Sequence, residues 1–133
     1  MKKTTIFITM LVVLLSACKK EETVTNPVAA NWKITKWDGV TLTAPEAGFL
    51  HLTNTTTTTG TSDFSLTFNG VSFTKETDDY TLSANNTVIN FTAKTSTSST
   101  PILEGGNPWT INTLNGTTLK LTSKYNLVVE ATK

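Results

Sequence analysis

Arginine is absent from this 133-residue sequence, and cysteine and histidine each occur once. Without arginine there is no bidentate clamp for a phosphate or carboxylate. Lysine supplies every basic charge, and no basic patch of the kind a nucleic-acid binder shows is visible. A single cysteine, Cys18, excludes an intramolecular disulfide. With one histidine, His51, an ordinary zinc site is excluded as well, and a nucleophile–base–acid triad would have to rest on His51 alone. That residue stands in the alternating run Phe49 to Thr53 and reads as a strand-face histidine. Gly105-Gly106 lacks the lysine that phosphate loops carry. No segment keeps a 3.6-residue period. Catalysis, a metal, a cofactor and nucleic acid are therefore not expected.

A long hydrophobic run is missing too. The apolar stretch from Ile6 to Leu15, broken by Thr9, is too short for a membrane span, which needs ~20 residues. It follows the basic Lys2-Lys3 and ends in small residues, the layout of a secretory signal. Its end, Leu15-Ser16-Ala17-Cys18, resembles the lipobox of bacterial lipoproteins. That resemblance implies cleavage after residue 17 and acylation of Cys18, hence membrane attachment through a lipid anchor; two or more acyl chains make such attachment stable. The next four residues, Lys19-Lys20-Glu21-Glu22, resemble the export signal of Bacteroidetes surface lipoproteins. They imply display on the outer membrane surface, with a periplasm-facing anchor as the alternative.

Three regions follow: a signal peptide over 1–17, a lipidated tether over 18–30, and one domain over 31–133. The chain after residue 17 keeps 39 apolar residues in 116, enough for one modest core, and nine lysines against ten acids. Threonine exceeds a fifth of the chain. Its β-branch and hydroxyl suit the solvent face of strands.

The mature chain alternates with period two in short runs. Trp32, Ile34 and Lys36 share one face and Trp37 takes the other, before the turn Asp38-Gly39. Phe64, Leu66 and Phe68 alternate up to Asn69-Gly70, and Val71 resumes beyond it, the strongest short hairpin signal. Residues 54–60, with five consecutive threonines, read as a loop or a strand edge, and the charged residues 75–79 read as a turn. Tyr80 and Leu82, then Ile89 and Phe91, then Trp109 and Ile111, then Leu119 and Leu121 mark further strands. Asn115-Gly116 separates the last two pairs, residues 93–107 read as a long polar loop, and Leu127 to Thr132 as the last strand. Eight or nine short antiparallel strands predict an all-β barrel or meander, with an immunoglobulin-like sandwich as the alternative.

The run from Pro108 to Leu121, with Trp109-Thr110-Ile111, Leu114 and Thr118-Leu119-Lys120-Leu121, resembles the closing hairpin of lipocalin-like domains in Bacteroidetes lipoproteins. Trp32-Lys33-Ile34 resembles their opening strand. The resemblance implies a lipocalin-like barrel with a small apolar ligand inside. Its ligand-binding residues would be Trp32, Phe64, Phe68, Phe91 and Trp109. Classical lipocalins open on Gly-x-Trp and close the barrel with a late arginine; here Asn31 precedes Trp32 and arginine is lacking. The alternative function is a structural or interaction module that binds a protein or glycan through loops 54–62 and 93–107. Trp37, beside Asp38-Gly39, is the candidate surface contact. Glu76 and Asp78 would share a strand face, a weak calcium motif, whereas Asp78 and Asp79 would point apart. Metabolic labelling with palmitate is expected to mark the protein and to be lost in Cys18→Ala; retained label would refute the lipid anchor.

Overall fold

The computed structural model describes residues 26–133; the signal stretch, Cys18 and Lys19-Lys20-Glu21-Glu22 lie outside it. The strands are β1 (Ala30–Trp37), β2 (Val40–Thr41), β3 (Ala47–Asn54), β4 (Thr59–Phe68) and β5 (Val71–Leu82), followed by β6 (Val88–Ser96). A short helix, α1 (Ile102–Gly105), then precedes β7 (Trp109–Leu114), β8 (Thr118–Thr122) and β9 (Val128–Thr132). Sequential neighbours pair antiparallel from β3 to β9, β1 pairs with β3, and β1 also pairs with β9. Eight strands thus close into a lipocalin-like barrel, and β2 extends β1 outside the ring. The β1–β9 pairing removes the open edges a sandwich would have.

Turn chemistry accounts for much of the path. Asp38-Gly39 (φ 49° and 80°) and Asn69-Gly70 (φ 51° and 74°) have both central residues left-handed, the hairpin geometry that matches strand twist. The β7–β8 hairpin is also present, but Asn115-Gly116 does not turn it this way. Asn115 Oδ1 instead accepts the amides of Thr117 at 2.9 Å and Thr118 at 2.8 Å. The threonine run closes in a similar way. Thr56 Oγ1 accepts the amides of Thr58 and Thr59 at 3.2 and 3.0 Å, and Asn26 Nδ2 donates to Thr56 O. The folded part begins ahead of Asn31, because Val28 is fully buried and its carbonyl accepts the Trp32 indole at 2.8 Å.

The predicted face of Trp37 is corrected. Ile34 pairs with Ala131 and Lys36 with Glu130, so Thr35 is an extra residue, a β-bulge in β1. The bulge reverses the parity after Ile34. Trp37 turns inward, 8% exposed, and its ring lies 5.8 Å from that of Phe64. Lys36 turns outward, where it and Lys120 reach Glu130 at 2.9 and 3.1 Å and hold its carboxyl below the usual range.

Residues 75–79 form no turn: they lie in the middle of β5, the longest strand. The span 93–107 is likewise no continuous loop, since β6 runs to Ser96 and α1 follows. Trp37→Ala is expected to cost ~3–5 kcal/mol in urea unfolding, as truncation of a core aromatic does. A loss within ~0.5 kcal/mol, the usual surface value, would return Trp37 to the outside.

Candidate functional site

Inward parity in β5 selects Glu76, Asp78, Tyr80 and Leu82, all buried. Across β4 the first three face Phe64, Ser62 and Gly60 in turn. Two carboxylates therefore enter the barrel with a buried serine and a tyrosine. Gly60 leaves room for Tyr80, whose Oη lies only 2.6 Å from where a Cβ would stand.

The two acids have different surroundings. Glu76 is 1% exposed, and its oxygens accept the amides of Ile102 at 2.8 Å and Leu103 at 2.7 Å. Those are the first amides of α1, so an acid on a strand caps a helix that follows it by two dozen residues. Burial raises the Glu76 carboxyl, and the two amides oppose that rise. Asp78 accepts only the Ser62 hydroxyl, at 3.0 Å on Oδ2; Oδ1 has no partner among the described residues. Burial, then the neighbouring charge of Glu76, push its carboxyl up to about 7. Tyr80 Oη is also buried without a partner among them, and burial pushes the phenol up to about 12.

The rest of the interior is apolar and full. Trp32, Phe64, Phe91 and Trp109 are at most 2% exposed. Side chains facing a water-sized chamber would be exposed to it. The residues expected to line a ligand cavity are thus packed against one another, and Phe68 packs half-buried against them. His51 is exposed on the outer face of β3, opposite Asp63. Glu76 and Asp78 share a face, as their spacing implies, but both oxygens of Glu76 are occupied. Among the described residues no group of three histidines, cysteines or acids could hold a metal.

One open groove lies beside α1. Trp109 Nε1 donates to Leu103 O at 2.7 Å, and its ring sits against Gly106, where a Cβ would come within 2.5 Å of it. Lys124 donates its amide to Gly106 O at 3.1 Å, which ties the β8–β9 turn to the helix. Between them runs a groove of about 340 Å³ bordered by Pro101, Ile102, Trp109, Tyr125 and Leu127. Tyr125 is 73% exposed, with Lys124 Nζ 4.8 Å from its ring centroid. Ser123 Oγ holds the turn by accepting the amides of Tyr125 and Leu127 at 3.2 and 3.1 Å.

Sequence reasoning missed both Tyr125 and the inward acids. The acids had a readable signal: Glu76, Asp78, Tyr80 and Leu82 continue one parity. Tyr125 had only the mark of a lone aromatic in a polar turn. No protein-family model matches this sequence, no curated protein matches it, and no solved structure matches the fold.

Stability should vary with pH through Asp78. Its carboxyl titrates near 3.8 when unfolded and about 7 when folded, so between those values the folded state holds more protons. Stability therefore falls as pH rises through that window. Asp78→Asn is expected to remove most of the slope and to add ~2–4 kcal/mol at pH 8. A wild-type stability that is flat from pH 4 to pH 7 would contradict the buried acid.

Proposed function

We propose that this protein is an exported, non-catalytic lipoprotein, tethered through Cys18, whose lipocalin-like barrel holds a small apolar or amphipathic molecule. The site is the groove between α1 and the β8–β9 turn. One observation carries the reading: about 340 Å³ of open groove, walled by Pro101, Ile102, Trp109 and Leu127, with Tyr125 standing free at its rim. Ligand sites typically occupy ~300–1,000 Å³ and are mostly apolar with a few polar groups. The buried state of Glu76 and Asp78, 1% and 0% exposed, supports a non-catalytic role, since no substrate reaches either with α1 in place.

The up-and-down topology is compatible with a tether at the N-terminal end. The chain enters at Asn26 beside the β3–β4 loop, through the Asn26–Thr56 contact. In the up-and-down order, α1 and the β8–β9 turn lie at the opposite end. Under this proposal an anchor at Cys18 would put the groove at the end of the barrel away from the tether, on the cell surface if the anchor is in the outer membrane. The same geometry separates the parts of spans 54–62 and 93–107 that lie outside strands, the β3–β4 turn and the α1 segment, which lie at opposite ends of the barrel. A partner gripping both from one side is disfavoured.

The protein purified from its native host is expected to carry a ligand detectable by mass spectrometry, and to bind the apolar fluorophore phenylnaphthylamine with a change in tryptophan emission. Tyr125→Ala should weaken fluorophore binding about tenfold while leaving stability within ~0.5 kcal/mol. Unchanged binding in that variant, with no ligand in the purified protein, would sink the reading.

A further inference from the structure

A second cleft opens on the outer wall of the barrel, away from the groove. Outward parity in β3 presents Phe49, 52% exposed. Register places Lys33 of β1 on one side of it and Ser65 of β4 on the other, with Lys75 of β5 beyond Ser65. Neighbouring strands are ~4.8 Å apart, so Phe49 and Lys75 stand ~10 Å apart across the sheet. Beside them a cleft of about 310 Å³ is bordered by Phe49, Ser65, Thr67, Ser72, Lys75 and Thr97. It adjoins the irregular step in β4–β5 pairing after Leu66.

The chemistry of this cleft is mixed in a specific way. Four hydroxyls border it together with one aromatic ring and one ammonium. Thr97 Oγ1 accepts the Lys75 amide at 3.1 Å and keeps its own proton to donate. Thr67 and Ser72 hydroxyls lie 3.3 Å apart and share one hydrogen bond. Among the described residues, Lys33 and Lys75 carry no ion pair, whereas Lys36, Lys94 and Lys120 all do. The acids adjoining this face are engaged: Glu46 Oε1 accepts the Asn69 amide, and Asp63 Oδ1 accepts the Thr77 hydroxyl. Both carboxylates keep their charge, but neither pairs with a lysine among the described residues, so the face offers two unpaired ammonium groups, one on each side of an exposed ring.

Each simple ligand leaves part of this unexplained. A purely apolar molecule would strand the hydroxyls and the ammonium groups. A small inorganic anion would make no use of Phe49. A sugar ring has an apolar C–H face that stacks on an aromatic, and hydroxyls that exchange hydrogen bonds with serine and threonine. A carboxylate on that ring adds the partner for lysine. We propose that the Phe49–Lys75 cleft is a binding site for acidic saccharides, chains of uronic acid residues, separate from the apolar groove.

The test is titration of the full-length protein with a galacturonic acid oligomer, read by calorimetry, beside the same oligomer methyl-esterified. The acidic oligomer is expected to bind, the esterified one at least tenfold more weakly. Phe49→Ala and Lys75→Met should each weaken binding tenfold or more, and Tyr125→Ala should leave it unchanged. Because both substituted residues are exposed, circular dichroism should match wild type. Three results would overturn the proposal: no binding at millimolar oligomer, equal binding of the esterified oligomer, or displacement by inorganic phosphate at equal charge concentration. Concentration-dependent dimerisation abolished by Phe49→Ala, without saccharide binding, would instead make this face a self-contact. None of these outcomes bears on ligand binding beside α1.

Discussion

The contact on which this barrel depends is the carboxylate of Glu76 on the first amides of α1. Strands β6 and β7 pair directly only at Val88 and Ile89. Beyond that point the wall is completed by the segment that carries α1. Asn107 imitates a strand residue there: its side chain accepts the Phe91 amide at 2.8 Å and donates back to the Phe91 carbonyl. Leu103 fills the core, and its carbonyl receives the Trp109 indole just as β7 begins. Hydrogen bonds to a charged group contribute ~1.5–3 kcal/mol each, and two of them offset part of a desolvation cost of several kcal/mol for the acid, whose carboxyl stays raised. Remove the carboxylate and two helix amides are left buried without an acceptor, at the weakest seam of the ring.

The second seam, between β1 and β9, closes without the arginine that classical lipocalins use. Lys133 Nζ stands 4.8 Å over the Trp32 ring, which places a cation beside this seam. Glu130 binds two lysines from the strands on either side of it, and the Thr35 hydroxyl donates to the Glu130 carbonyl at the bulge. An ammonium is a point charge and lacks the planar fork of a guanidinium. The seam makes up for this with several small contacts spread along its length. The bulge that admits Thr35 also turns Trp37 inward, so closure and core packing are coupled through one extra residue.

This coupling explains what could and could not be read from the sequence. Alternation in β4 and β6, and the Asp38-Gly39 and Asn69-Gly70 turns, are local properties, and local pattern placed them correctly. A bulge is set by the partner strand, so nothing in Trp32-Lys33-Ile34-Thr35-Lys36-Trp37 announces the change of face. The acids of β5 were obscured because charge normally marks solvent. They are tolerable inside only because α1 and Ser62 supply donors from distant positions. A helix of four residues is shorter than the period that would reveal it, and its cap lies in another strand. Candidate sites suffered in the same way. Tyr125 and Phe49 are functional candidates through exposure, and exposure is a property of the finished surface.

The placement of polar groups also bears on where a ligand can go. A barrel that stores apolar molecules needs a dry, empty, uncharged interior. This one places Glu76, Asp78, Ser62 and Tyr80 on the inner wall and fills the remaining space with Trp32, Phe64, Phe91 and Trp109. Emptying it would expose Asp78 and Tyr80, each with a buried oxygen that lacks a partner among the described residues, to an apolar guest that offers none. The interior is therefore committed to holding the fold. Open space is found on the outside, where closure of the ring by α1 leaves an apolar groove with Trp109 and Tyr125 on its border. The same tryptophan that seals the core from within borders the groove from without, so the groove owes its form to the contact between Glu76 and α1.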